Sequence, residues 1–126
     1  MYATTYAKAK DVADAVSQLR GADEGKLLAG GQTLIPTLKQ RLASSDCLID
    51  LSEAGLSGIS DEGGSIRIGA MTRHVEVETS KLVKKAIPAL ATLASGIGDR
   101  QVRNCGTIGG SVANNDPSAC YPSALL

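Results

Sequence analysis

Two pairs of adjacent glycines, each followed by an apolar segment, are the feature that most limits how this chain can fold. The first pair, Gly30-Gly31, lies within residues 29–36, and the second, Gly109-Gly110, lies within residues 107–117. Because glycine has no Cβ, such a pair lets the backbone turn sharply and approach a bound molecule closely. Consecutive N–H groups that converge on one concavity bind anions, phosphate above all. Two motifs of this kind predict a ligand with two phosphates that is held from two sides.

The residues around the first glycine pair predict a compact α/β unit. Strands are predicted at residues 2–7, 26–29 and 47–51, and helices at residues 12–20 and 33–42. Asp11 is a good N-cap for the first helix and Gly21 a good stop. Its expected buried stripe consists of Val12, Ala15, Val16 and Leu19, and that of the second helix of Leu34, Ile35, Leu38 and Leu42. The first glycine pair then lies between a strand and a helix N-terminus, whose partial positive charge favours an anion.

After about residue 55 the pattern changes to a hairpin followed by short helices. Hairpin strands are predicted at 56–60 and 65–69, helices at 72–79, 80–86 and 88–95, a polar loop at 99–104, and a helix beginning at 123. Thr72 is the predicted cap of the first of these helices. Because residues 123–126 carry no capping or turn residue, we expect the chain to be a fragment that stops inside an element.

Composition and charge exclude several functions. Apolar residues make up 43% of the chain, and 13 basic residues balance 13 acidic ones. That balance argues against binding to nucleic acid or a membrane surface through charge. The chain has no Phe and no Trp, so aromatic platforms for stacked bases are scarce. We expect a core built from aliphatic side chains.

The cysteines and the single histidine do not predict a metal site. Cys47, Cys105 and Cys120 form no closely spaced pair, and we expect them to be small buried hydrophobic residues. His74 has no recognisable catalytic partner and is predicted to be a solvated helix residue. No apolar run suggests a signal sequence or a membrane span. The expected location is the cytoplasm, with reduced thiols.

Other nucleotide-binding motifs fit poorly. Gly96-Ile97-Gly98 lacks the third glycine of a dinucleotide fingerprint and follows a predicted helix. No P-loop pattern is present. The G-x-x-G spacing at residues 106–109 lacks the basic surroundings of an RNA-binding loop. A single glycine pair is more often a plain turn, so the prediction depends on having two.

The two motifs carry a resemblance to a known family. Residues 29–36, residues 107–117 and the lead-in Arg103-Asn104 resemble the FAD-binding medium subunit of molybdenum hydroxylases, the relatives of carbon monoxide dehydrogenase and xanthine dehydrogenase. The resemblance covers essentially the whole chain. It implies an α/β (α+β) fold of the vanillyl-alcohol-oxidase (PCMH) type, truncated. Residues 1–53 would be the first FAD-binding subdomain, and residues 54–126 an incomplete second one.

The resemblance also implies a site and a function. The implied FAD-binding residues are Ala29, Gly30, Gly31, Gln32, Thr33, Leu34, Thr107, Ile108, Gly109, Gly110, Ser111 and Cys120. No catalytic acid or base is implied in this chain. The implied activity is that of a flavoprotein oxidoreductase subunit, inactive as an isolated fragment. Its partners would be a large subunit with a molybdenum cofactor and a small subunit with [2Fe-2S] clusters, from which electrons pass through FAD to an external acceptor.

Two departures and two alternatives remain open at this point. Many members of the family carry an Asp where this chain has Cys120, so only its backbone is expected to line the site. The family's medium subunit continues well past residue 126, and part of the flavin-ring pocket would be missing. The alternatives are a flavin-free assembly or docking fragment of the same fold, and an unrelated domain that binds nucleotide phosphates.

Overall fold

The computed structural model describes all 126 residues, which divide into two units. The first is Met1–Leu56 and the second is Ser57–Leu126. The predicted boundary lay three residues earlier, at 53/54. No helix of the chain combines the length and the apolar character needed to cross a membrane.

The first unit is a three-stranded parallel sheet with two helices. Its elements are β1 (Thr5–Lys8), α1 (Val12–Arg20), β2 (Lys26–Leu28), α2 (Leu34–Lys39) and β3 (Cys47–Asp50). The spatial order is β1-β3-β2, with Tyr6 opposite Leu48 and Leu27 opposite Ile49. This alternation of strands and helices confirms the predicted α/β pattern. Because the strands are parallel, their carboxyl ends lie at one edge of the sheet, and the first glycine motif follows β2 there.

Helix α1 has the predicted caps and a narrower buried face than predicted. The Asp11 carboxylate accepts a hydrogen bond from the Asp14 N–H at 2.8 Å, and Gly21 ends the helix. Ala15 is buried against Ala9 and Ile49. Val12 and Val16, expected in the same stripe, remain 51% and 42% exposed. The prediction was wrong for these two valines because α1 contacts the core through the small side chain of Ala15.

Helix α2 is shorter than its apolar pattern suggests. It ends at Lys39, and Arg41 adopts a left-handed backbone with φ of +58°. Leu38 is fully buried, whereas Leu42, expected on the same face, is 74% exposed. The left-handed backbone at Arg41 ends the helix before Leu42, so Leu42 does not lie on the buried face.

The second unit joins a hairpin to six short helices. Its elements are β4 (Ile59–Asp61), β5 (Ile66–Ile68), α3 (His74–Thr79), α4 (Lys81–Ala86), α5 (Pro88–Ser95), α6 (Arg100–Cys105), α7 (Ile108–Asn114) and α8 (Cys120–Ala124). The hairpin is antiparallel, with Ile59 opposite Ile68. The core is aliphatic with one tyrosine, and its buried members are Val77, Val83, Leu90, Ala91, Ala94, Ile108 and Tyr121.

Two segments predicted as loops are helices. The polar stretch after residue 98 forms α6, because the Asp99 carboxylate caps it by accepting from the Val102 N–H at 2.8 Å. The second glycine motif forms the start of α7, with Thr107 as its cap and Asn115 in the left-handed conformation at its end. Pattern alone missed both helices because polar residues and paired glycines are typical of loops.

Thr72 does not cap α3 as predicted; Arg73 occupies that position and the Glu76 carboxylate accepts its N–H at 2.8 Å. The Thr72 side chain is fully buried and ties α3 to the hairpin instead. Its hydroxyl accepts from the Gly58 N–H at 3.0 Å and donates to the Gly58 carbonyl at 3.1 Å. Because the Gly58 carbonyl also accepts from the Gly69 N–H at 2.9 Å, the Gly58 N–H is the group that depends on Thr72 alone.

His74, predicted to be solvated, is only 5% exposed. Its ring lies 5.3 Å from the Tyr121 ring, and a Cβ on Gly106 would come within 2.6 Å of its Nε2. The His74 Nδ1 and the Tyr121 hydroxyl are buried without hydrogen-bond partners. Burial lowers the pKa of His74 below 6.5 and raises the pKa of Tyr121 to about 12. Both rings are therefore held in their neutral forms.

Replacing Thr72 with valine should destabilise the second unit by about 1 kcal/mol, because the shape is kept while the Gly58 N–H loses its partner. Chemical unfolding of the 126-residue chain measures this free energy. Thr92→Val is the matched control, since the Thr92 hydroxyl is exposed and donates only to the Pro88 carbonyl one turn earlier. Equal stability of the two variants would contradict the role assigned to Thr72.

Acid should weaken the fold through His74. In the unfolded chain the pKa of His74 has its ordinary value of about 6.5, whereas burial lowers it in the folded chain. Below pH 6.5 the unfolded chain therefore binds a proton that the folded chain does not bind. Unfolding free energy should therefore be flat above pH 6.5 and fall below it, by at most about 1.4 kcal/mol per pH unit. Carboxylates titrate at about pH 4, below this window. Unfolding of His74→Gln between pH 7.5 and 5.5 should lack the slope, and an unchanged slope would contradict this origin.

Candidate functional site

The first glycine motif is a loop with unused hydrogen-bond donors. It connects β2 to α2 and runs from Ala29 to Thr33. Five consecutive backbone N–H groups donate no hydrogen bond within the protein, those of Gly30, Gly31, Gln32, Thr33 and Leu34. The two glycines are half-buried, and Gln32 and Thr33 are exposed. Since successive N–H groups in a turn form an anion-binding concavity, this loop has the donors that a phosphate group requires.

Gly31 is the residue that gives this loop its shape. Its φ of +71° lies in the left-handed region, which glycine adopts without steric cost. A Cβ at this position would lie 3.0 Å from Ile35 Cγ1 and 3.3 Å from Leu28 Cδ1. The glycine is therefore required both by its backbone conformation and by the side chains that flank it.

Three carbonyl groups of the same loop accept hydrogen bonds within the protein. The Gly30 carbonyl accepts from Gln32 Nε2 at 3.0 Å, and the Gly31 carbonyl accepts from the Ile35 N–H at 3.1 Å. The Thr33 carbonyl accepts from both the N–H and the hydroxyl of Thr37. With these three acceptors engaged and five N–H donors free, the loop has an excess of free donors, which fits a diphosphate.

The second glycine motif is built differently, because its donors are engaged. The Ile108 N–H donates to the Thr72 carbonyl at 3.0 Å, and the Gly109 N–H donates to the Ala70 carbonyl at 2.9 Å. The Gly110 N–H donates to Thr107 Oγ1 at 3.1 Å, as expected of a helix cap. The anion-binding donors that the sequence suggested for this motif are therefore already used inside the second unit.

Close packing explains the glycine at position 109. A Cβ there would lie 2.6 Å from both the Cβ and the carbonyl oxygen of Ala70, and 2.8 Å from its Cα. Thr107 and Ile108 are buried, whereas Ser111 is half-buried and its hydroxyl makes no hydrogen bond within the protein. Among residues 107–111, Ser111 is thus the one whose polar side chain remains available to a ligand.

The remaining sequence candidates lie elsewhere in the second unit. The Arg103 Nε is paired with Glu78 Oε2 at 3.0 Å, and its guanidinium also donates to the carbonyls of Ile97 and Gly98. This arginine therefore joins α6 to α3 and the preceding turn. Cys120 is exposed at the start of α8, and Cys105 is exposed as well. The expectation that the cysteines are buried was wrong for these two because both lie at ends of short helices.

Comparison with known proteins identifies relatives along the whole chain. A family described as the FAD binding domain in molybdopterin dehydrogenase matches residues 2–126. The carbon monoxide dehydrogenase medium chain of Hydrogenophaga pseudoflava is 42% identical over 123 residues, which are 96% of this chain and 43% of that protein. The glyceraldehyde dehydrogenase medium chain of Sulfolobus acidocaldarius is 38% identical over 122 residues, again 96% and 43%.

Solved structures give the same result for the fold. A carbon monoxide dehydrogenase from Hydrogenophaga pseudoflava superposes with a TM-score of 0.95 at 41% identity, covering 98% of this chain and 44% of that one. Quinoline 2-oxidoreductase from Pseudomonas putida 86 superposes with a TM-score of 0.92 at 34% identity, covering 96% and 43%. These structures confirm the predicted fold class. The chain spans less than half the length of the relatives it matches. By sequence and by fold, this chain belongs to the family of FAD-binding domains of molybdopterin dehydrogenases.

Proposed function

We propose that this chain binds FAD as part of the medium subunit of a molybdenum hydroxylase. The observation that carries the proposal is the run of five free N–H groups from Gly30 to Leu34. Hydrogen bonds from N–H groups to charged oxygens contribute about 1.5–3 kcal/mol each, more than neutral ones. The two phosphates of FAD would provide the acceptors. In this proposal the first glycine loop holds the diphosphate.

The second motif would contribute through other groups. Because the N–H groups of residues 108–110 are engaged, we assign its contact with FAD to the Ser111 hydroxyl and to the shape of the α7 terminus. Cys120 remains a proposed contact through its backbone. Family membership removes the alternative of an unrelated nucleotide-binding domain. The flavin-free assembly fragment is the second candidate, and FAD binding separates the two.

The wider activity belongs to the same proposal. When bound, FAD would supply redox chemistry, accepting electrons from [2Fe-2S] clusters and delivering them to an external acceptor. The small iron–sulfur subunit and the large molybdenum-binding subunit would be the partners. The relatives include proteins named as medium chains and as a xanthine dehydrogenase FAD-binding subunit, which supports this assignment. The residues of this chain would hold and orient the cofactor, and none is assigned a proton-transfer role.

Purified protein should contain stoichiometric, noncovalently bound FAD, or should take it up when FAD is added. The visible absorption spectrum, followed by heat release and identification of the flavin, measures this. In a thermal-shift assay, FAD at about a hundred times its dissociation constant should add about 2.7 kcal/mol of stability. ATP and NAD are the controls. A colourless chain that FAD does not stabilise would contradict the proposal and favour the assembly fragment.

Alanine at the two glycine pairs should have different effects. Gly31→Ala places a side chain at a left-handed φ, and should weaken FAD binding about tenfold while the chain stays folded. Gly109→Ala forces a Cβ into the Ala70 backbone, and should lower the unfolding free energy by about 1–3 kcal/mol. FAD titration and chemical unfolding measure these two effects.

Gly55→Ala is the matched control for the first substitution. Gly55 has a φ of +72°, close to that of Gly31, in the same unit, and a Cβ there would meet nothing within 4 Å. This variant should carry the same backbone strain and bind FAD as tightly as the unsubstituted chain. If Gly31→Ala also binds FAD normally, the diphosphate does not bind at this loop.

A further inference from the structure

The side chain of Gln32 lies against its own loop. Gln32 is exposed, and its Nε2 donates to the Gly30 carbonyl at 3.0 Å. This contact spans only two residues, so it orders the loop itself. A motif comparison alone would place this carboxamide among the groups that touch a ligand, whereas the structure engages its amide nitrogen with the backbone.

The contact has a geometric consequence for the neighbouring N–H group. The peptide bond between Gly30 and Gly31 is trans and planar, as are all others in the chain. In a trans peptide the C=O and N–H bonds point in opposite directions. When Gln32 holds the Gly30 carbonyl, the Gly31 N–H must therefore point away from the Gln32 amide.

Two other peptides of the loop are held by groups of helix α2. The Gly31 carbonyl is held by the Ile35 N–H, and the Thr33 carbonyl is held by Thr37. Those two bonds come from helix α2, which forms regardless of the side chain at position 32. The Gly30–Gly31 peptide differs because its carbonyl is held only by a side chain. It also joins two glycines, which have the widest conformational freedom, so of these three peptides it is the one most able to flip.

We propose that Gln32 is a positioning residue, whose carboxamide holds the Gly30 carbonyl so that the Gly31 N–H stays available to the diphosphate. This inference rests on the proposed function, since it assigns a role within the same loop. The residue acts on the ligand through the backbone. A side chain that matches glutamine in length but cannot donate should release the peptide.

Gln32→Met tests this role in the 126-residue chain. Methionine keeps the length and flexibility and removes the donor. Gln40→Met is the matched control, because Gln40 is an exposed glutamine at the other end of α2. Gln32→Met should weaken binding of FAD and of inorganic pyrophosphate about tenfold, the change expected for one hydrogen bond to a charged oxygen. Gln40→Met should leave both affinities and the unfolding temperature unchanged.

Nuclear magnetic resonance of the ligand-free chain separates positioning from direct contact. In Gln32→Met the Gly30 carbonyl carbon and the Gly31 amide should both shift, and the amide should broaden as the peptide samples two orientations. Lost affinity with both resonances unchanged would mean that Gln32 touches the ligand directly, and would overturn the inference. Unchanged affinity in Gln32→Met would overturn it as well, with FAD binding by the loop intact. If the unsubstituted chain binds neither FAD nor pyrophosphate, the proposed function fails and this inference fails with it.

Discussion

The hydrogen bonds that join Ile108 and Gly109 to the Ala70–Thr72 segment determine which backbone N–H groups of the second glycine motif remain free. They bring two backbones within contact distance, and the Ala70 backbone leaves no room for a Cβ at position 109. They also occupy the donors at the start of α7, which would otherwise be unsatisfied at a helix N-terminus. The second glycine motif is therefore a structural junction first. In the proposed function, its contact with FAD is assigned to groups that this junction does not use, such as the Ser111 hydroxyl.

In the first glycine motif the backbone N–H groups are free and three carbonyls are bound. Its N–H groups are free because the loop lies at the surface, where water can satisfy them, and a ligand can replace that water without leaving a donor unpaired. What the protein fixes is the set of carbonyls, those of Gly30, Gly31 and Thr33. Because the C=O and N–H of one peptide point in opposite directions, these three bonds also orient the N–H groups of Gly31, Gln32 and Leu34. In the proposed function, this order in the ligand-free loop reduces the conformational entropy that is lost when the diphosphate binds.

The sequence predicted correctly those helices whose ends are determined by residues within one turn. The Asp11 cap, the Gly21 stop and the proline at the start of α5 each act within one turn, and α1 and α5 were placed correctly. Helix α7 and the burial of His74 depend on distant partners, the Ala70–Thr72 segment for the one and Tyr121 for the other. No pattern within the motif itself reports such partners. The same reason limits prediction of the site: the sequence located both glycine pairs, and could not show which of them keeps its N–H groups free.

The two pairs are alike in sequence because glycine meets two different physical needs. Gly31 supplies a left-handed φ, a property of the backbone alone, whereas Gly109 lies inside a right-handed helix and supplies the absence of a side chain. Only the first need turns the chain so that successive N–H groups face solvent. In the proposed function, a ligand carrying two negative charges therefore has its backbone donors in the first loop. We therefore propose that the backbone N–H groups of residues 30–34, and not those of the second motif, bind the diphosphate.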